Sequence, residues 1–357
     1  MSITLPNYIS GEFAVGTECF TVVDDTRTEV LGQGTGPRKI AVRMYYPTDK
    51  ANVSGLEKAD IFTERKLQGL SKAFHFNAKK VDSDLLKGDY YEGIAHVENQ
   101  KFPLIMYNHG HNAYMEANTF LCCELASNGY IVASVGHAYE AVANEYEDGS
   151  YDLFDKNVNI LMYGNFLRYV QTVVAQMKVI KAKGSSEELF KRFDAFQKKY
   201  GGYIIERIPV WAQDTMCVIN ELKIRYAEWI DFSNGVGATG HSIGGATAYY
   251  LCHHEEEISC GVNIDGSLFG DYEGMVMKKP FLQICCQENY NTMTRPLFGT
   301  EAPVQCEIFE DLKHIGFTDA KFFIPLKMVV GKMDAMEMYE RLSTCHKRFF
   351  ETYLKNV

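Results

Sequence analysis

Val236-Gly-Ala-Thr-Gly240-His241-Ser242-Ile243-Gly244-Gly245-Ala246-Thr247 is the stretch on which the reading of this chain turns. Gly240-His-Ser-Ile-Gly244 fits a G-x-S-x-G turn, in which a serine sits on a strained strand-to-helix junction with its hydroxyl exposed. A side chain at 240 or 244 would strike the neighbouring strand or helix, so glycine brackets the serine. The flanks agree. Asp231 to Gly240 reads as a loop followed by a short buried strand, and Gly244, Gly245, Ala246 and Ala248 are small enough for a helix to pack closely on a sheet. A glycine-rich turn with a solvated serine is the plainer alternative.

A serine nucleophile needs a base to take its proton and a third group to orient that base. In α/β-hydrolases the three follow the chain order Ser, then Asp or Glu, then His. Cys260-Gly-Val-Asn-Ile-Asp265 is a short apolar run closing on an acid, which is how a buried strand delivers a carboxylate to the carboxyl edge of a parallel sheet. Glu288, at the end of Pro280-Phe-Leu-Gln-Ile-Cys-Cys-Gln-Glu288, is the rival on the next strand. Asp265 is favoured. Four histidines follow Ser242. His253 and His254 read as the solvated end of the helix after the serine, and His346 as a surface position in a terminal helix from Asp334 to Leu354. His314 follows the strand-like Val304–Glu310 and precedes a loop, so it is the base of choice. The expected triad is Ser242, Asp265 and His314.

Acyl transfer also needs backbone N–H donors set in advance for the oxyanion. One should be Ile243, directly after the nucleophile. The second should come from the loop His109-Gly110-His111-Asn112, which follows the strand Pro103–Asn108 and makes His111 N–H the expected donor. His109 reads as a scaffold histidine, and the His111 imidazole as a group that could face the pocket.

Five segments in order resemble the platelet-activating-factor acetylhydrolases, a branch of the α/β-hydrolases. They are Met44-Tyr-Tyr-Pro47, Gly69-Leu-Ser-Lys72, Asn108-His-Gly110, Gly240-His-Ser-Ile-Gly-Gly-Ala-Thr247, and His314 with Phe317 and Asp319. The resemblance runs from about residue 10 to residue 330. It implies a mostly parallel central sheet flanked by helices, a triad acid on the strand after the serine helix, and calcium-independent cleavage of short-acyl phospholipid or other small esters. The chain departs from the family at His111, at Gly266-Ser267 and at Ile315. Gly266-Ser267 in place of bulk suggests more room beside the acid, and His111 more polarity; both favour small or polar acyl groups.

Composition bounds the alternatives. With 46% hydrophobic and 13% aromatic residues the chain can bury a large core, and 357 residues suit one α/β domain. A formal charge of −10 argues against nucleic acid and against a strongly anionic membrane surface as partners. No run approaches the ~20 apolar residues of a membrane span, so no stable membrane insertion is expected. The start lacks a basic end and apolar run, and the ten cysteines lack metal-ligand spacing, so reduced thiols in a cytoplasmic protein are expected. A serine mechanism requires no metal or cofactor. Gly32-Gln-Gly34-Thr-Gly36-Pro37 precedes an alternating strand, not a helix, and reads as a hairpin instead of a dinucleotide loop.

Insertions are expected at about 51–100, with Phe74-His75-Phe76, and at about 140–207. In the second, Phe166, Val170, Val173, Met177 and Ile180 recur at helical spacing. Ser185 to Glu188 has capping-box form, opening a helix with Leu189, Phe190, Phe193 and Phe196 that Gly201-Gly202 stops. These helices stand where a hydrolase cap would, although apolar stripes of this kind also face ordinary cores. A general carboxylesterase, an amidase or peptidase of the same fold, and a non-catalytic binding protein on that scaffold are the alternative readings; oligomeric state stays open.

Overall fold

The computed structural model describes residues 9–32, 34, 36–74, 87–324 and 326–356. His75 and Phe76 of the first insertion lie outside them. The chain opens with β1 (Ala14–Thr28) and β2 (Pro37–Thr48), then α1 (Glu64–Phe74) and the short β3 (Tyr91–Glu92). β4 (Phe102–Asn108), α2 (Thr119–Ser127) and β5 (Ile131–His137) follow. The second insertion holds a small hairpin, β6 (Ala143–Glu145) and β7 (Tyr151–Leu153), and then α3 (Asn157–Tyr163), α4 (Phe166–Ile180) and α5 (Ser186–Tyr200). α6 (Gly202–Arg225) leads through β8 (Ile230–Asp231) to β9 (Val236–His241), α7 (Ile243–His254), β10 (Ile258–Ile264), β11 (Phe281–Cys286) and β12 (Val304–Phe309). Two single turns, α8 (Ala320–Phe323) and α9 (Lys327–Val330), precede α10 (Ala335–Phe350), which runs on as a π turn over Glu351–Lys355.

The main sheet has the order β12-β11-β10-β9-β4-β5-β2-β1-β3. From β5 to β12 every neighbouring pair is parallel, while β2 runs antiparallel to both β1 and β5. This is the α/β-hydrolase architecture. β1 and β2 are consecutive and pair antiparallel, as the strands of a hairpin do, although residues 33 and 35 of the glycine-rich stretch lie outside the described residues. Arg38, just inside β2, ties that hairpin to α6: its guanidinium makes two bonds to Asp214, at 2.7 and 2.6 Å, and one to Glu29 at 2.6 Å.

Side chains alternate across a strand, so β4 feeds two cores. Ile105 and Tyr107 join α2 and α10 on one face, among Phe120, Leu125, Leu342 and Phe350. Leu104 and Met106 join α6 and α7 on the other, among Val218, Leu222, Ala248 and Leu251. Because the chain goes outward from β4 to β5 and then returns to place β9 on the far side of β4, a switch point opens at the carboxyl ends of these strands.

α5 begins with the capping box that Ser185 and Glu188 promised and ends at Gly201, and its Leu189, Phe190, Phe193 and Phe196 are buried. α4 has the expected bounds but a different environment. Its stripe is not core-facing: Phe166 is 81% exposed, and Val170, Val173 and Met177 are exposed as well. Only Val179 of this helix is buried. Among the described residues, no helix is long and apolar enough to cross a membrane.

Candidate active site

Ser242 stands between the end of β9 and the start of α7 with φ 59° and ψ −125°, a conformation that costs a residue with a Cβ about 1–3 kcal/mol. The surroundings leave it no alternative. Its N–H donates to the Ile264 carbonyl at 2.9 Å, and the strand before it is sandwiched between β4 and β10. A methyl group at Gly240 would lie 2.5 Å from the Asn108 oxygen, and one at Gly244 would overlap the same carbonyl. The elbow and the loop after β4 are therefore in backbone contact.

His314 opens the loop beyond β12. Its Nε2 lies 3.0 Å from Ser242 Oγ and its Nδ1 2.7 Å from Asp265 Oδ2. The structure thus joins the three side chains selected from the sequence. With Nδ1–H donating to the carboxylate, Nε2 is left to accept the serine proton. Asp265 is buried at the end of β10, itself with φ 54°. The strand of the rival acid also contributes, though not with an acid. Cys286 N–H donates to Asp265 Oδ1 at 2.8 Å and Asn289 Nδ2 to Oδ2 at 2.7 Å, while Glu288 is exposed and paired with Lys313. Asn289 follows Glu288 directly and carries an amide, not a carboxylate, so the pattern of a triad acid does not single it out in the sequence.

Three histidines are fixed in neutral forms around this constellation. His241, inside the elbow, donates from Nε2 to the His314 carbonyl at 2.9 Å, its ring 4.6 Å from that of His314. Burial first and the His314 ring second hold its pKa well below the usual histidine range. His109 donates from Nδ1 to the Gly110 carbonyl at 2.6 Å and accepts the His137 N–H at Nε2, which pins the loop after β4. His346 is not at the surface, contrary to expectation. It is fully buried on the face of α10 that packs under β9, donating from Nδ1 to the Leu342 carbonyl at 2.8 Å and accepting from Thr239 Oγ1 at 3.1 Å. His253 and His254 do end α7, but His253 leans on Tyr249 and Tyr272 and is not simply solvated.

The loop of His314 is tied down at a distance. Asp319, buried, accepts the Phe120 N–H at 3.2 Å in the first turn of α2, and Asn118 Nδ2 donates to the Phe317 carbonyl at 2.7 Å. Burial raises the Asp319 pKa.

Ile243 is the first residue of α7, so its N–H is one of the amides a helix leaves without an internal partner. Gly110, next to His111, is close enough that a methyl group there would be 3.2 Å from Ser242 Cβ. The His111 ring meets Phe154 edge-on at 5.3 Å, and both its nitrogens are buried without a partner among the described residues. Burial lowers its pKa. Gly266 does not add room beside the acid. A side chain there would overlap the Ser242 carbonyl oxygen, so the glycine serves the close approach of the strand end to the elbow. Ser267 is bonded to Thr292 at 2.7 Å. Among the described residues no three His, Cys, Asp or Glu side chains gather as metal ligands.

A profile of the family described as platelet-activating factor acetylhydrolase, isoform II, matches residues 2–296, a stretch that includes Ser242 and Asp265 and stops before His314. The protein named "probable 1-alkyl-2-acetylglycerophosphocholine esterase" of Arthroderma benhamiae is 21% identical over 299 residues, which are 77% of this chain and 63% of that protein. The platelet-activating factor acetylhydrolase of Cavia porcellus is 25% identical over 181 residues, 51% of this chain and 38% of that one. The chain therefore spans less than two thirds of the length of these curated relatives. A ferulic acid esterase from Streptomyces cinnamoneus superposes with a TM-score of 0.74 at 18% identity, over 98% of this chain and 93% of that one, a likeness of fold. On the extent of the profile match, the chain belongs to the platelet-activating factor acetylhydrolase, isoform II, family.

Proposed function

We propose that the protein is a serine-dependent carboxylic ester hydrolase that releases short acyl groups from phospholipids or other small esters through an acyl-enzyme. The observation that carries this reading is the continuous hydrogen-bonded chain from Ser242 Oγ through the His314 ring to the buried Asp265 carboxylate. His314 takes the serine proton as Oγ attacks the acyl carbonyl, and returns it to the leaving alkoxide. Water then attacks the acyl-enzyme with the same ring as base. Asp265, held by Cys286 N–H and Asn289, keeps Nδ1 protonated and Nε2 free. The N–H groups of Ile243 and His111 are the donors assigned to the oxyanion.

Family membership supports the ester and acetyl preference, since its curated relatives carry esterase and acetylhydrolase names. A cytoplasmic setting suits ten cysteines that are all unpaired, nine of them buried or partly buried in strands and helices. The buried, unpartnered His111 ring favours compact substrates with a polar group near the acyl carbonyl. The second insertion would border the substrate where it meets the loop after β11: Asn291 in that loop holds the end of α4, two residues from the Asn289 that bonds Asp265.

Labelling with a fluorophosphonate probe tests the mechanism: wild type is modified at Ser242 and Ser242→Ala is not. Catalytic efficiency across p-nitrophenyl esters from acetate to palmitate tests the substrate class. It should be highest for acetate to butyrate and fall in graded steps, since a methylene is worth only about 1–3 kcal/mol. An absence of labelling would favour a binding protein on this scaffold, and a maximum at decanoate or beyond a lipase.

A further inference from the structure

We propose that Asn118 and Asp319 are positioning residues for the ester hydrolysis described above, the reading on which this inference rests. Together they set the His314 loop against the strand that leads to the oxyanion loop. Asn118 stands at the N-terminal end of α2, where an asparagine side chain ordinarily accepts an N–H of the first helical turn. Here it makes no such bond. The Asn118 amide instead donates from Nδ2 to the Phe317 carbonyl at 2.7 Å and accepts the Tyr107 hydroxyl at Oδ1, at 2.6 Å. The helix receives its cap from the opposite side. Asp319 Oδ2 accepts the Phe120 N–H at 3.2 Å, and the Asp319 N–H donates to the Ala117 carbonyl at 2.8 Å. Helix and loop have exchanged partners: Asn118 holds the loop, and Asp319 of the loop caps the helix.

The exchange joins two parts of the site that lie far apart in sequence. Tyr107 is the penultimate residue of β4, immediately before Asn108, whose carbonyl the elbow glycines approach, and the loop of Gly110 and His111 follows. Phe317 closes the single turn that His314 opens. The path Tyr107–Asn118–Phe317 therefore fixes the end of β4 relative to the base. His241 holds the first residue of this turn by its carbonyl, and Asn118 holds the last. Tyr107, Asn118, Phe317 and Asp319 are all buried, so solvent is not at hand to replace a lost bond, and each bond constrains both of its partners. The chemistry needs that constraint. His314 Nε2 must reach Ser242 Oγ while the N–H groups beside the elbow face the acyl oxygen. A displacement of about 1 Å can cost roughly 100-fold in rate.

The test is steady-state kinetics of the full chain on p-nitrophenyl acetate, expressed per active site counted by complete fluorophosphonate labelling. Counting sites separates positioning from folding. A merely structural role lowers the melting temperature and the number of sites, but not the turnover of each. Asn118→Ala should lower kcat per site by about 30- to 100-fold with KM changed less than about threefold. Labelling should slow by a similar factor, since it too needs His314 to take the serine proton. Asp319→Ala should lose about tenfold, and Asp319→Asn, which keeps an oxygen for the Phe120 N–H, should recover most of it. If Asn118→Ala does not fold, the two Asp319 variants decide. Turnover per site within about threefold of wild type in the alanine variants that fold would overturn the proposal, as would equal losses in Asp319→Ala and Asp319→Asn. Wild type that takes up no fluorophosphonate would instead overturn the ester-hydrolase reading, and this one with it.

Discussion

The unit that carries Ser242 and the inserted helix α4 are both apolar in sequence, yet they meet opposite surroundings. α7 buries nine of its twelve residues against the sheet and α6. α4 buries one of fifteen. Around the elbow, identity follows from contact. Gly240, Gly244 and Gly266 leave no space for a methyl group, and Thr239 and His346 satisfy one another inside the core. Along α4, any apolar residue at the exposed positions would serve the fold equally. Helical periodicity reveals that a segment has an apolar face; it does not reveal whether protein, lipid or water lies against that face.

The largest effect that can test the central half of this comparison is on catalysis. Asp265→Asn should lose on the order of 10⁴ in turnover, because an amide no longer enforces the tautomer that leaves Nε2 free. Glu288→Gln, which removes only an exposed pairing with Lys313, should stay near wild type. Steady-state kinetics on a short-chain ester at matched folding checks both. Parity between the two variants would mean that burial and hydrogen bonding had identified a structural acid, not a functional one.

How much was legible in advance follows the same division. The parallel strands, the order of Ser242, Asp265 and His314, and the capping box at Ser185 all depend on local rules that a sequence displays directly. Asn289 and Cys286 were hidden because they act on Asp265 from 24 and 21 positions away, through an amide and a backbone N–H that carry no motif. His346 was misplaced because α10 presents several polar residues, and only the packing shows which of its faces lies beneath β9. Gly266 was misread because its crowding comes from Ser242, a residue remote in sequence.

Within the insertion, α5 and α4 offer a direct contrast in stability. Phe193 is 1% exposed and meets Phe269 edge-on at 5.2 Å. Phe193→Ala should cost about 3–5 kcal/mol in denaturant unfolding, the range for a large buried ring whose cavity cannot fully collapse. A cost below 1 kcal/mol would mean that the insertion packs on the core far more loosely than its buried stripe implies.

The buried His346 adds a pH dependence. Burial pushes its pKa down to about 4, against roughly 6.5 for an unhindered histidine. The unfolded chain therefore binds more protons between these values, and stability is lost as pH falls from about 6.5 towards 4. At pH 5 this one group should account for a loss of about 2 kcal/mol relative to pH 7. His346→Gln keeps a donor and an acceptor but cannot take up a proton, so its unfolding free energy should fall less between pH 7 and pH 5 than that of wild type. Parallel pH profiles for the two proteins would show that His346 is not held neutral in the folded state.

The smallest effect is expected at Phe166, and its smallness is the point. A ring that is 81% exposed gains almost nothing from folding, since its surface meets water in both states. Helix propensity hardly separates phenylalanine from serine. Phe166→Ser should therefore change the unfolding free energy by no more than about 0.5 kcal/mol, as for other surface positions. Measured beside Phe193→Ala, it sets two phenylalanines of adjacent helices at opposite ends of the scale. A loss above about 2 kcal/mol at Phe166 would require the ring to be covered in solution, by a second copy or by a closed arrangement of α3 and α4. The contrast between a core dictated by its contacts and an arm left open to its surroundings would then fail at the residue that displays it most plainly.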